Sequence, residues 1–140
     1  MKLVTGKMQI STKGNSEIIN LTNTVMNHLK GANLNSGLVN LFIPGATGGL
    51  TTIEYEPGLI EDFRQTFERI APEKADYCHN STHEDSNAHS HIRASLIGPS
   101  LSIPFENAIL QLGKWQQIVF IDFDNRSRKR EILLQIIGEK

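Results

Sequence analysis

The chain holds a single cysteine, Cys78, so no intramolecular disulfide is available and stability has to come from packing. Long apolar runs are missing too: the longest candidates are interrupted by Asn40, Asp122 or Gln135, short of the roughly 20 residues a membrane-spanning helix requires. Neither sign of charge is in excess. The 14 Lys and Arg stand against 15 Asp and Glu, a formal net charge of -1, which removes the positive field expected of a nucleic-acid or anionic-membrane binder. Aromatics make up 6% and do not interleave with the basic residues, so a base-stacking platform is not expected either. The opening MKLVTGKMQI lacks the apolar run of a signal peptide, and with the lone thiol this gives the expectation of a reducing, cytoplasmic setting. What is present is 140 residues, enough for one domain over 1–140 with its own apolar core.

From Leu3 to Thr12, Val4, Met8 and Ile10 tend to alternate with Thr5, Lys7, Gln9 and Ser11, the period of a half-buried strand. Asn15 or Ser16 then suits the cap of a helix carrying Ile18, Leu21, Val25 and Leu29 at helical spacing, with Gly31 as its terminator. Gly37 to Ile43 and Leu50 to Tyr55 predict strands, separated by a turn rich in Gly and Thr. Pro57 fits the first turn of a second helix whose stripe is Leu59, Ile60, Phe63, Phe67 and Ile70, closed by Pro72. The polar CHNSTHEDSNAHSH from Cys78 to His91 predicts a loop, and Ile92 to Ile97 a strand. Further strands are predicted at Leu101 to Phe105, Ile109 to Leu112, Trp115 to Phe123 and Glu131 to Ile137, with Pro104 at an edge or a bulge. The expectation is an α+β domain with two helices and a mainly β C-terminal half.

Of the 5 histidines, His79, His83, His89 and His91 fall within one short polar segment. If His89 and His91 open the strand that runs to Ile97, their spacing of two aims both rings at one face. A third nitrogen from His79 or His83 would make a three-histidine site with an open position, suited to zinc or a related divalent ion. Glu84, Asp85 and Asn87 would orient the imidazoles or add an oxygen ligand. His28, near the end of the first helix, reads as structural. Cys78 reads as an ordinary half-buried thiol, or else as a ligand or nucleophile beside His79.

PGATGGLTTIEYE offers backbone N–H groups and the hydroxyls of Thr47, Thr51 and Thr52, either to an anion or simply as a strand connection; it lacks the lysine of a phosphate-binding loop. Glu54 and Asp62 are candidate general bases or solvated carboxylates. Arg126, Arg128 and Arg130 lie two apart and share a face when extended, which suits either a phosphorylated ligand or a charged hairpin turn.

Two segments carry a family resemblance: SLSIPFENAILQLGKWQ, Ser100 to Gln116, and Tyr77-Cys78-His79 followed by DSNAHSHIRASLIG, Asp85 to Gly98. They resemble the small YjbQ-like proteins, a family described as secondary thiamine-phosphate synthases, and the likeness runs nearly end to end. Ala108 stands where glycine is usual, Lys114 where threonine is usual, and Gly45-Ala46-Thr47-Gly48 where many members carry His-Thr-Ser-Ala. The resemblance implies a mainly antiparallel β-sandwich or barrel-like sheet with two helices. It also implies a homotrimer with a metal or anion site near His79 and His91, at or close to a subunit boundary. Asn87, His89 and Ser95 fit the family pattern, and Glu54, Asp62, Arg128 and Arg130 occupy family-like positions.

The activity so implied joins a pyrimidine methyl diphosphate to a thiazole phosphate. A divalent ion at His79, His89 and His91 would neutralise the leaving diphosphate, with Arg93, Arg128 and Arg130 as further cations and Thr51, Asn87 and Ser95 contacting substrate. Histidine ligands favour zinc; magnesium would accompany a phosphorylated substrate. A metal-dependent hydrolase of a small phosphorylated or acyl substrate, and a noncatalytic trimer that captures a metabolite or metal, stand beside this reading.

Overall fold

Alternating apolar and polar residues favour extended segments, and a computed structural model, which describes residues 1–140, sorts the strands into two sheets. In order the chain forms β1 (Lys2–Thr12), β2 (Glu17–Asn20), α1 (Thr22–Ala32), β3 (Ser36–Phe42), β4 (Gly48–Glu54) and α2 (Pro57–Ile70). There follow α3 (Cys78–Thr82), α4 (Ala88–Ile97), β5 (Ser100–Glu106), β6 (Ile109–Leu110), β7 (Gln116–Asp122) and β8 (Arg128–Glu139). One sheet has five strands in the order β1-β8-β3-β5-β6; the other has three, β2-β7-β4. Every ladder is antiparallel, and the fold is α+β.

Strand β7 explains how the layers stack. Side chains alternate along a strand, so Ile118 and Phe120 enter a core shared with Val25 and Leu29 of α1 and with Val39, Leu41, Ile132 and Leu134 of the large sheet. Val119 and Ile121 face the other way, into a smaller core with Phe67 of α2 and Ala94 of α4. With both faces covered, β7 reads as an unbroken apolar run. Helices α2 and α4 therefore lie on the outer face of the three-stranded sheet, and α4 packs on β4: a Cβ added at Gly49 would sit 2.7 Å from the Ile97 side chain.

The strand at Leu3 to Thr12 and the helix opened by Pro57 form as their patterns predict, and Glu56 caps the latter by accepting from the N–H groups of Gly58 and Leu59 at 2.9 and 2.7 Å. Pro104 lies opposite Leu38 on β5 at the margin of the short β6, which pairs only Phe105 and Glu106, so no ladder bond is lost at its missing N–H.

Three expectations are corrected. The first helix does not start at Asn15 or Ser16: both have left-handed φ, 56° and 65°, and Glu17–Asn20 pairs with β7 instead. Ile18 accordingly packs in the smaller core, while Leu21, Val25 and Leu29 enter the larger. The helix runs past Gly31 and ends at Asn33, which adopts the left-handed cap conformation. Most consequentially, Ile92 to Ile97 is not a strand but the last part of α4, and with the short α3 the helices number four rather than two.

Candidate functional site

Helix α4 decides the geometry of the histidine segment. Residues two apart on a helix point about 200° apart, so His89 and His91 face opposite sides, where a strand would have aligned them. Each is joined by the residue four further on: Arg93 shares the face of His89, and Ser95 the face of His91.

On the His91 side, the imidazole Nδ1 lies 3.0 Å from the Ala46 carbonyl. A carbonyl only accepts, so this bond places the proton on Nδ1 and leaves the Nε2 lone pair unclaimed. The Ser95 hydroxyl donates to the His91 carbonyl at 2.8 Å. Both side chains line a cavity of about 260 Å³ with Gly45, Ala46, Gly48 and Pro99. His79, carried on α3, brings its ring centroid to 4.9 Å from that of His91, tilted by 56°. His83 stacks on His79 at 4.5 Å and 7°, and its Nδ1 is taken up by Thr82 Oγ1 at 2.9 Å. Parallel stacked rings carry their lone pairs in parallel planes, whereas tilted rings can converge. His79 and His91 are the pair suited to a shared ligand.

The donor chemistry fits a borderline-soft divalent ion only in part. The two imidazoles are suitable nitrogen donors, and His79 Nδ1 is buried with no hydrogen-bond partner. Yet no group of three or more His, Cys, Asp or Glu is placed to hold a metal ion within this chain. Cys78 is exposed beside His79.

The other face of α4 is tied to α2 and borders a second cavity. His89 is 3% exposed and lines a different cavity, with Glu68, Glu73 and Arg93 among its walls. Burial, and then the neighbouring Arg93 guanidinium, hold the His89 imidazole below its ordinary pKa against the pull of Glu73, Glu68 and Asp124, which keeps it neutral near pH 7. Arg93 donates to the Ala71 carbonyl at 3.0 and 2.8 Å, to Ser16 Oγ at 3.1 Å and to Glu68 at 2.7 Å. It anchors α4 to α2 and to the turn before β2.

Two further arginines are similarly engaged. Arg130 makes a two-pronged ion pair with the fully buried Asp122 at 2.8 and 2.9 Å and donates to Thr47 Oγ1 at 2.8 Å. Arg128 pairs with the fully buried Asp124 at 2.7 Å. Burial pushes the Asp124 carboxyl upward in pKa, but hydrogen bonds from Arg128, the Asn125 N–H and Asn87 outweigh it and hold the group below the usual carboxylate range. Asn125 Nδ2 donates to the Asp85 carbonyl at 2.7 Å, so the β7–β8 turn clamps the chain just ahead of α4.

The remaining candidates scatter. Asn87 is buried at the start of α4 with its Oδ1 unpaired. Thr51 is half-buried on β4 opposite Val119. Glu54 ends β4 opposite Gln116, and Asp62 lies on α2; both are exposed, and neither lines the His91 cavity. Gly45 has φ 115°, a conformation that suits glycine. Asp122, Asp124 and Glu68, which hold Arg130, Arg128 and Arg93, were not among the candidates. The signal for the first two lay in DFDNRSRKR: acids two apart face bases two apart across a turn.

Comparison with known proteins matches residues 6–139 to the family model described as UPF0047 protein YjbQ-like. A UPF0047 protein of Methanothermobacter thermautotrophicus is 32% identical over 99% of this chain and 95% of its own length. One from Archaeoglobus fulgidus is 35% identical over 91% and 97%. Among solved structures, a hypothetical protein of Aeropyrum pernix K1 superposes with TM-score 0.90 at 30% identity, covering 97% of this chain and 99% of its own. An uncharacterised conserved protein of the yjbq/upf0047 family from Clostridium acetobutylicum gives 0.86 at 32%, covering 94% and 98%. Identity at this level across almost the whole length, together with the shared fold, means that the chain belongs to the UPF0047, YjbQ-like protein family.

Proposed function

We propose that His79 and His91 are half of a divalent-metal centre, completed by a neighbouring copy of the chain, at which a small phosphorylated or acyl substrate is hydrolysed. The observation that carries this reading is the tilted His79–His91 pair beside the 260 Å³ cavity, with His79 Nδ1 buried and unpartnered. A buried polar nitrogen left without a partner is unfavourable by about 1–3 kcal/mol, and a ligand removes that penalty. Two imidazoles suit zinc; magnesium would enter with phosphate oxygens. When bound, such an ion supplies Lewis acidity. The chain's own residues hold and orient: the Ala46 carbonyl fixes the His91 tautomer, as outer partners do in metal sites, and Ser95 sits beside it at the cavity wall.

Assembly, as the homotrimer the family resemblance implies, is supported by a row of exposed apolar residues across the large sheet. Leu3 pairs with Ile137, Ile137 with Leu38, and Leu38 with Pro104, and Leu3, Ile137 and Leu38 are 57%, 43% and 49% exposed. A base role for Glu54 or Asp62 requires them to reach the cavity from a neighbouring copy. The thiamine-phosphate synthase reading is less well supported, because Arg93, Arg128 and Arg130, the cations for a leaving diphosphate, already face Glu68, Asp124 and Asp122.

The test is elemental analysis of the purified protein, with turnover measured on small phosphomonoesters and esters. Stoichiometric metal that disappears in His79→Ala, together with metal-dependent hydrolysis, supports the proposal. Metal without turnover on any substrate leaves only noncatalytic capture and overturns the hydrolase. Equal metal content in both proteins overturns the centre itself.

A further inference from the structure

The face of α4 that turns away from His91 opens on a second cavity, between α2, α4 and the turn at Asn15 and Ser16. Its volume is about 280 Å³ and no hydrophobic residue lines it. Small-molecule pockets are usually larger and mostly apolar, so a cleft this polar has to be explained by its charges and hydrogen bonds.

Three carboxylates, Glu61, Glu68 and Glu73, stand on its walls against two guanidiniums, Arg64 and Arg93. Arg93 already donates to Ala71, Ser16 and Glu68. Arg64 uses its Nε on the Ser16 carbonyl at 3.2 Å. The balance left for a ligand is therefore acidic. An independent observation adds a directional element: His89, 3% exposed, lines this cleft, and its Nδ1 has no partner. No three-residue chelating group of His, Cys, Asp or Glu exists here, so the arrangement is poorly suited to a bare metal ion. A ligand that brings both positive charge and several N–H donors meets the carboxylates and the imidazole together.

We infer that the cleft between α2 and α4 is a binding site for a small primary ammonium ligand, with Glu73 as its carboxylate partner and His89 Nδ1 as a hydrogen-bond acceptor. Glu68, already held by Arg93 and by the Glu73 N–H, adds negative charge to the wall. The free end of the Arg64 guanidinium lies at the same cleft, so a ligand that also bears a carboxylate is held at both ends. A small amino acid then binds more tightly than a simple amine of equal size. This site lies on the opposite side of α4 from the cavity of His91 and Ser95, and it stands or falls separately from any metal at His79.

The experiment is a titration of the protein, carrying ¹⁵N-labelled histidine, with ethanolamine, β-alanine, sodium acetate and magnesium chloride at constant ionic strength. Ethanolamine and β-alanine are expected to give a saturable shift of the His89 ring resonances with Kd of about 1 mM, as befits ligands of so few atoms. Acetate and magnesium are expected to give none. Glu73→Gln, at an exposed position, is expected to weaken ethanolamine about tenfold while leaving the fold intact. His89→Gln should weaken it similarly, and the surface variant carries the test where the buried one does not fold. Absence of a saturable shift with both amines, preferential binding of acetate or magnesium, or unchanged ethanolamine affinity in Glu73→Gln would each overturn the inference.

Discussion

The two faces of α4 carry histidines only two residues apart, yet they are different environments. On the face with His89 and Arg93 both residues are buried at the base of a polar cleft, and Arg93 has hydrogen-bond partners at the end of α2 and in the turn before β2. The face with His91 and Ser95 is open to a cavity, and His91 is held by one backbone carbonyl. The same residue type is thus buried beside an ion-paired arginine on one side and half-buried against a single carbonyl on the other. Burial and hydrogen bonding set the role, not the residue.

Removing Arg93 is the largest way to break this contrast. Arg93→Ala leaves the Ala71 carbonyl and Ser16 hydroxyl unpaired and empties a buried position, and we expect a loss of about 2–4 kcal/mol by urea denaturation. A fall under about 0.5 kcal/mol would mean that the Arg93 anchor is not structural. His91→Ala on the open face is expected to change stability without metal by under about 1 kcal/mol.

Acidification sharpens the contrast next. The folded pKa of His89 lies below that of the unfolded chain, so its contribution is complete above the unfolded value, about 6.5, and is lost as pH falls through the folded value. Asp124, also lowered, adds a loss at still more acidic pH. The thermal midpoint should fall between pH 7 and 5 in the wild type, and fall less in His89→Gln. Identical pH profiles would contradict the assignment.

A smaller effect is expected at the clamp. Asn125→Ala removes the bond to the Asp85 carbonyl and should lower stability by about 0.5–1.5 kcal/mol, with faster amide exchange confined to the segment just before α4. Ser95→Ala, whose hydroxyl bonds only within its own helix, should stay within about 0.5 kcal/mol of the wild type. Exchange that quickens across the whole chain in Asn125→Ala would deny the clamp its local role.

The sheets were largely legible because alternation survives burial: β1, β3 and β8 keep period two along their lengths. The helix of Pro57 to Ile70 was legible because its proline, cap and apolar stripe agree. Ile92 to Ile97 misled for a physical reason. Helix α4 packs one edge on β4 while Ile92 and Leu96 stay exposed at 40% and 58%, so apolar residues surround it and the helical period is blurred. The clustering of histidines was visible in the sequence, but their division between two faces was not, since it follows from a helix that the local pattern did not announce. The acids that neutralise Arg93, Arg128 and Arg130 were partly hidden as well, because Glu68 meets Arg93 only through the packing of α2 on α4.

The central claim is that any metal belongs to the open face. Calorimetric titration of zinc into the wild type, His91→Ala and His89→Ala tests it directly. The account predicts that His91→Ala loses tight binding and that His89→Ala keeps it within about threefold, a difference of under 1 kcal/mol; loss of binding in His89→Ala with full retention in His91→Ala would contradict it.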